Sequence, residues 1–160
     1  MTVGATVAGR VRFRDLQYRK DAEFVVQVDT TKGEIILYLD QDVDATGGFY
    51  SGECFVGMEA KETALLIRLL QKSVSRLPES GQGPNVIGRV KFKWSDPGAP
   101  GSEDSGITVI ASSGWVILGI APGEESIADA YLATFDYKTG EELVATLSRG
   151  VSALDTHNRA

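Results

Sequence analysis

Apolar and cationic residues alternate in Gly9-Arg10-Val11-Arg12-Phe13-Arg14, and the alternation returns in Gly88-Arg89-Val90-Lys91-Phe92-Lys93. A period of two puts successive side chains on opposite faces of a strand. Each copy therefore predicts a strand with Val and Phe toward a core and its cations toward water. Val7-Ala8 before the first copy and Val86-Ile87 before the second extend the match. Two related halves follow, residues 1–80 and 81–160.

Other patterns fill in the halves. After a polar turn over 17–21, residues 24–28 read as a second strand by their β-branched content. Thr30-Thr31-Lys32-Gly33 reads as a hairpin turn, and the nearly continuous apolar run 35–39 as a strand buried on both faces. An acidic loop over 40–48 leads to a fourth strand over 49–56, with Gly52 as a site for a bulge. The spacing of Thr63, Leu66, Ile67, Leu70, Val74 and Leu77 predicts a helix over 58–77, with Lys61, Arg68, Lys72 and Arg76 on its opposite face. Pro78 stops it. Leu65 and Leu69 widen the apolar stripe beyond what one sheet needs and are expected to touch the second half or a partner chain.

The Pro/Gly-rich stretch 78–84 is the internal boundary. Residues 95–106 read as a solvated mobile loop, and 109–114 and 116–120 as strands matching those of the first half. The last forty residues admit a helix from Glu124 to Gly140, or a strand over 131–137 turning through Lys138-Thr139-Gly140 into a helix over 141–154. The duplication selects strand then helix, although Gly150 inside the helix costs about 1 kcal/mol against Ala. Residues 155–160 are expected to fray. The expected fold is α+β: an internally duplicated, predominantly antiparallel sheet structure, about four strands then a helix, twice. We read 1–160 as a single domain of two half-repeats, its curved sheets packed on the long helix.

Composition narrows the class. The chain has 160 residues, 42% of them hydrophobic, which suits a globular fold rather than disorder. No apolar run reaches the roughly 18 to 20 residues that span a bilayer, and residues 1–13 lack the apolar segment of a secretory signal. Cys54 is the only cysteine, so no internal disulfide forms and a cytoplasmic location, away from membranes, is expected. The net charge of −6 argues against indiscriminate nucleic-acid binding. Yet charge is segregated. Five cations face one acid over 1–20, one faces nine over 21–60, seven face two over 61–93, and three face ten beyond. Both copies of the opening motif lie in the basic blocks.

The sequence disfavours common catalytic chemistry. His157 is the only histidine and lies in the tail, which removes a buried triad base and zinc sites built on several His or Cys ligands. A Cys54 nucleophile lacks a base nearby in sequence, and Ser112-Ser113-Gly114 reads as turn chemistry. Asp40-Gln41-Asp42-Val43-Asp44 has the alternate-acid spacing that opens a calcium loop, but Ala45 and Ser51 stand where glycine and a bidentate Glu are needed, so a solvated acidic loop is the reading. Gly81-Gln82-Gly83-Pro84 is a linker rather than a phosphate loop. Glu124/Glu125 and Glu141/Glu142 read as helix starts. No catalytic residue, metal ligand or cofactor is assigned.

What remains is the cations. Arg10, Arg12 and Arg14 share one face of their strand, and Arg89, Lys91 and Lys93 the corresponding face of theirs. Such a row is balanced by neighbouring acids, with Glu23, Asp29 and Glu34 nearby in sequence, or guards a sheet edge, or meets an anionic partner. Four strands followed by a helix, repeated after about eighty residues, resembles the layout of Whirly and PUR-repeat proteins. The best local likeness is over 49–78, where a strand passes through Val56 into a helix that stops at proline, although the Lys-Gly-Lys-Ala run typical of Whirly proteins is absent. The resemblance implies strands offering cations and aromatic rings to single-stranded nucleic acid while helices cover the other face. The expectation is a non-enzymatic binding protein for single-stranded DNA or RNA, with the six cations as its site. The alternative is a protein-interaction or assembly module, a homo-oligomer or partner complex with no nucleic-acid role.

Overall fold

The computed structural model describes residues 5–41, 53–76, 84–96, 106–112, 114–121 and 131–159. Strands β1 (Ala5–Arg14), β2 (Asp21–Asp29), β3 (Glu34–Asp40) and β4 (Glu53–Met58) precede helix α1 (Ala60–Arg76). Strands β5 (Asn85–Lys91), β6 (Trp94–Asp96), β7 (Gly106–Ser112), β8 (Trp115–Ala121) and β9 (Tyr131–Phe135) precede helix α2 (Tyr137–Arg159). The duplicated α+β organisation read from the pattern is therefore present. Among the described residues all pairings are antiparallel, in a five-stranded sheet β1-β2-β3-β4-β6 and a four-stranded sheet β5-β7-β8-β9.

Register sorts each strand by face. Val11 lies opposite Phe24, Phe24 opposite Leu39, and Leu39 opposite Cys54, so these side chains share the inner face of the first sheet. Val90, Ile107 and Ile120 form the corresponding row of the second. Both rows join one buried cluster with Leu66, Leu70, Leu143 and Leu147 of the helices.

The helices are exchanged between the halves. α2 packs on β1 and β2, and α1 on β5 and β7. The glycines of the repeated motif sit at these crossings. A Cβ on Gly9 would come within 2.7 Å of Thr146 Cγ2 in α2, and one on Gly88 within 2.6 Å of Leu69 Cδ2 in α1. Both sit beside a register shift, between Val7 and Gly9 in β1 and between Val86 and Gly88 in β5. The motif glycine therefore marks a bulged strand pressed against the other half's helix. Leu69 accordingly touches the second half, as expected, and Leu65, though exposed, borders a groove against β5. Gly150 has a reason too: its Cβ would meet Val26 Cγ1 at 3.3 Å and Ile35 Cδ1 at 3.4 Å.

The strands are also stitched across the halves. Beyond β1, Leu16 N donates to Thr134 O of β9 (2.9 Å), and the buried Asp15 carboxylate accepts from Gln17 N, Tyr18 N and Thr134 N (2.9, 2.8 and 3.2 Å). Beyond β5, Lys93 N donates to Gly57 O of β4 (2.8 Å) and the chain continues as β6 along β4. The indole of Trp94 lies on Gly57, where a Cβ would fall 2.1 Å from Nε1, and that Nε1 donates to Glu34 Oε2 at 3.0 Å.

Several boundaries differ from expectation. Residues 94–96 form a strand rather than the start of a loop, because β4 offers them an open edge. The fourth strand runs on to Met58, which pairs with Ile35 and is fully buried, so α1 begins at Ala60. Lys138-Thr139-Gly140 is the first turn of α2 and not a separate turn, since Asp136 caps the helix: Oδ1 accepts from Thr139 N at 2.9 Å. The tail does not fray at 155. α2 continues to Arg159, anchored by buried Leu154. Residues 42–52, including most of the acidic loop and Gly52, and residues 122–130, with Glu124/Glu125, lie outside the described residues. No helix among the described residues is long and apolar enough to cross a membrane.

Asp29 closes the β2–β3 turn and is fully buried. Its Oδ1 accepts from Thr31 Oγ1, Thr31 N and Lys32 N at 2.6, 3.1 and 3.2 Å. The Thr31 hydroxyl chiefly holds the carboxyl below its ordinary 3.8, outweighing burial. A depressed folded pKa stabilises the fold above the unfolded value and loses that contribution as pH falls through the folded one. Urea unfolding of Asp29→Asn and the parent protein should therefore show a stability gap at pH 6 that narrows as pH falls below 3.8. A constant gap would remove this account.

Candidate nucleic-acid interface

The two cationic strands lie at corresponding edges of different sheets, β1 in one and β5 in the other. In both, the cations alternate with residues that turn into the core. Val11, Phe13, Val90 and Phe92 are buried, while Arg10, Arg12, Arg14, Arg89, Lys91 and Lys93 are exposed.

Their electrostatic surroundings differ. Arg10 Nη1 bonds Glu23 Oε1 at 2.8 Å, and Arg14 Nη1 lies 3.4 Å from Asp21 Oδ1. Arg12 faces Glu23 in the ladder, and Asp40 and Glu53 continue the same row. Arg12 is also engaged within the fold. Exposed pairs like these contribute about 0 to 1 kcal/mol each, so they add little stability. Their effect is on the field: a polyanion approaching β1 meets a row of three carboxylates behind one guanidinium.

β5 has no such row among the described residues. Arg89 faces Thr108, with Gly119 and Leu132 beyond it, and Lys91 faces Gly106. Lys93 is the exception, with Nζ 3.3 Å from the buried Glu34 Oε1 and 3.9 Å from Glu59 Oε1. A groove of about 430 Å³ runs between this strand and the first turn of α1. It gathers Arg89, Lys91, Lys93 and Lys61 with Glu59 and Glu62. Lys61 Nζ lies 4.0 Å from Glu59 Oε2 and Lys93 also meets Glu34, so four cations face three acids and the groove keeps a small positive excess on an acidic protein. Sequence reasoning missed Lys61, whose place on the polar stripe of the helix signalled only exposure.

Aromatic rings occur on the outer face of the first sheet. Tyr38 and Phe55 stack with centroids 4.3 Å apart, in the row of Arg10. Burial first, then the charges of Asp40 and Glu53, push the Tyr38 hydroxyl well above its ordinary value, so it stays a neutral donor. Neither ring borders the β5 groove.

The remaining candidates separate. Cys54 is fully buried, and His157 is exposed near the end of α2. Glu141 and Glu142 lie within α2 rather than at its start. Among the described residues no group of three or more His, Cys, Asp or Glu could hold a metal ion, and residues 42–48 of the acidic loop fall outside them. Comparison with protein-family models, with curated proteins and with solved structures found no match.

Proposed function

We propose that this chain is a non-enzymatic binding protein that holds single-stranded DNA or RNA along the β5 edge and the first turn of α1. The observation that supports it is the unequal neutralisation of the two cationic strands: β1 meets carboxylates in its own sheet, whereas Arg89 and Lys91 face Thr108 and Gly106. Cations left without carboxylates opposite them are available to phosphates, and releasing counterions from a polyanion supplies the affinity. The resemblance to Whirly and PUR-repeat proteins points the same way. From the lone Cys54 we infer a cytoplasmic setting.

A fluorescent single-stranded oligonucleotide titrated with the protein at rising salt tests the reading. The expected slope of log affinity against log salt is about −2 for three contacted phosphates, at roughly 0.7 each. The pair Arg89→Ser and Lys91→Ser should flatten the slope and release the oligonucleotide, while Arg10→Ser and Arg12→Ser should change little. An oligonucleotide not retained even at low salt removes the proposal.

A second reading, a protein-assembly module, is favoured by one observation. Val86 (67% exposed) and Trp115 (44% exposed) stand on the outer face of the second sheet, and neither borders the cationic groove. A defined oligomer that persists at high salt and after nuclease treatment, measured by mass in solution, would select it.

A further inference from the structure

Where the two helices cross, a groove of about 820 Å³ opens between the C-terminal half of α1 and the first turns of α2, toward the opposite end of α1 from the cationic groove. Val74 and Val144 form apolar walls, Gly114 of the β7–β8 turn lies at one side, and Asp136, Tyr137 and Glu141 supply two carboxylates and a ring. Its size falls within the roughly 300 to 1,000 Å³ of small-ligand sites. None of the described residues that line it is cationic.

Two features set the groove apart from a generic seam between helices. Asp136 gives Oδ1 to Thr139 N at 2.9 Å, and among the described residues no ion pair engages Asp136 or Glu141, whereas Asp21, Glu23, Glu34 and Glu59 each face a cation. The duplicated half lacks two of these groups, although Glu59 stands in the place of Asp136. Counting each helix from its first residue, Ala60 corresponds to Tyr137 and Ala64 to Glu141. The ring and one carboxylate are thus particular to this crossing, while the apolar wall is shared, with Ile67 matching Val144.

We propose that this groove binds a small organic cation, an amidinium or ammonium group carried on an apolar body. The cation sits between the Asp136 and Glu141 carboxylates, with the exposed Tyr137 ring, 56% accessible, offering its face to the charge. The apolar body lies against Val74 and Val144. A neutral molecule of the same shape keeps the wall contacts and loses the charge.

Benzamidine and its neutral isostere benzamide are suitable probes. Titrated into the full chain and followed by amide resonances, benzamidine should shift Val74, Gly114, Tyr137 and Val144 with a dissociation constant in roughly the millimolar range. Benzamide should bind at least about tenfold more weakly, the scale of one charge-assisted contact. Glu141→Gln should weaken benzamidine about tenfold and leave benzamide unchanged, while Glu142→Gln, outside the groove, should alter neither. Equal binding of the two probes, insensitivity to Glu141→Gln, or an equal effect of Glu142→Gln would each overturn the proposal, as would shifts confined to other residues.

Discussion

Residues 1–80 expressed alone will not fold as a monomer. The inner face of β1 and β2 is covered by α2, which belongs to the other half, and α1 covers β5 and β7 in return. Cutting the chain after α1 leaves Phe24, Val26, Val28, Ile35 and Leu37, all 0 to 2% exposed in the intact protein, without their covering helix. At about 2 kcal/mol for each buried side chain the loss is roughly 10 kcal/mol, as large as the whole stability of an ordinary domain. Circular dichroism and sedimentation should find the fragment unfolded or paired through exchanged helices, and adding residues 81–160 should restore a cooperative melt. A monomeric fragment with its own cooperative melt would show that α1 can cover its own sheet.

The pattern made the elements legible because period depends on local geometry alone. Alternation in Arg10-Val11-Arg12-Phe13 selects a strand and says which face is buried, and the spacing of Leu66, Leu70 and Val74 does the same for α1. Neither says which helix covers which sheet. The exchange had one trace in the sequence, the glycine conserved between the two motif copies, since a glycine inside a strand often marks another backbone or side chain coming close. β6 was hidden for a different reason. Trp94-Ser95-Asp96 is too short to show a period, and its strand state depends on an open edge of β4 supplied by residues nearly forty positions earlier.

The candidate interface was legible as a set of cations but not as a field. Glu23, Asp29 and Glu34 are all near the first basic strand in sequence, and each does something different. Glu23 pairs with Arg10, Asp29 turns inward to its own hairpin, and Glu34 reaches Lys93 and Trp94 of the other half. Which carboxylate neutralises which cation follows from register and from the crossing of the chain, and neither is written in local sequence. The duplication that suggested two equivalent binding strands thus conceals an asymmetry. The first copy is balanced within its own sheet, and among the described residues only Lys93 of the second is paired with a carboxylate.

Phe135→Ala is the single substitution expected to cost most. Phe13 and Phe24 of the first half stack at 5.0 Å, and Phe135 of the second half meets each of them edge-on at 5.7 Å. Phe135 is completely buried, so its removal forfeits transfer energy and leaves a cavity that two exchanged halves cannot easily close. A loss of about 3 to 5 kcal/mol follows, with the ring contacts at the upper end. The melting temperature should fall by roughly 10 °C, at about 2 to 4 °C per kcal/mol for a chain of this size. Phe135→Leu keeps most of the volume and should lose well under half as much. Urea unfolding with an unchanged slope would report the difference as stability. A loss for Phe135→Ala below about 1 kcal/mol would mean that the aromatic cluster does not join the halves, because burial of this ring alone is worth more than that.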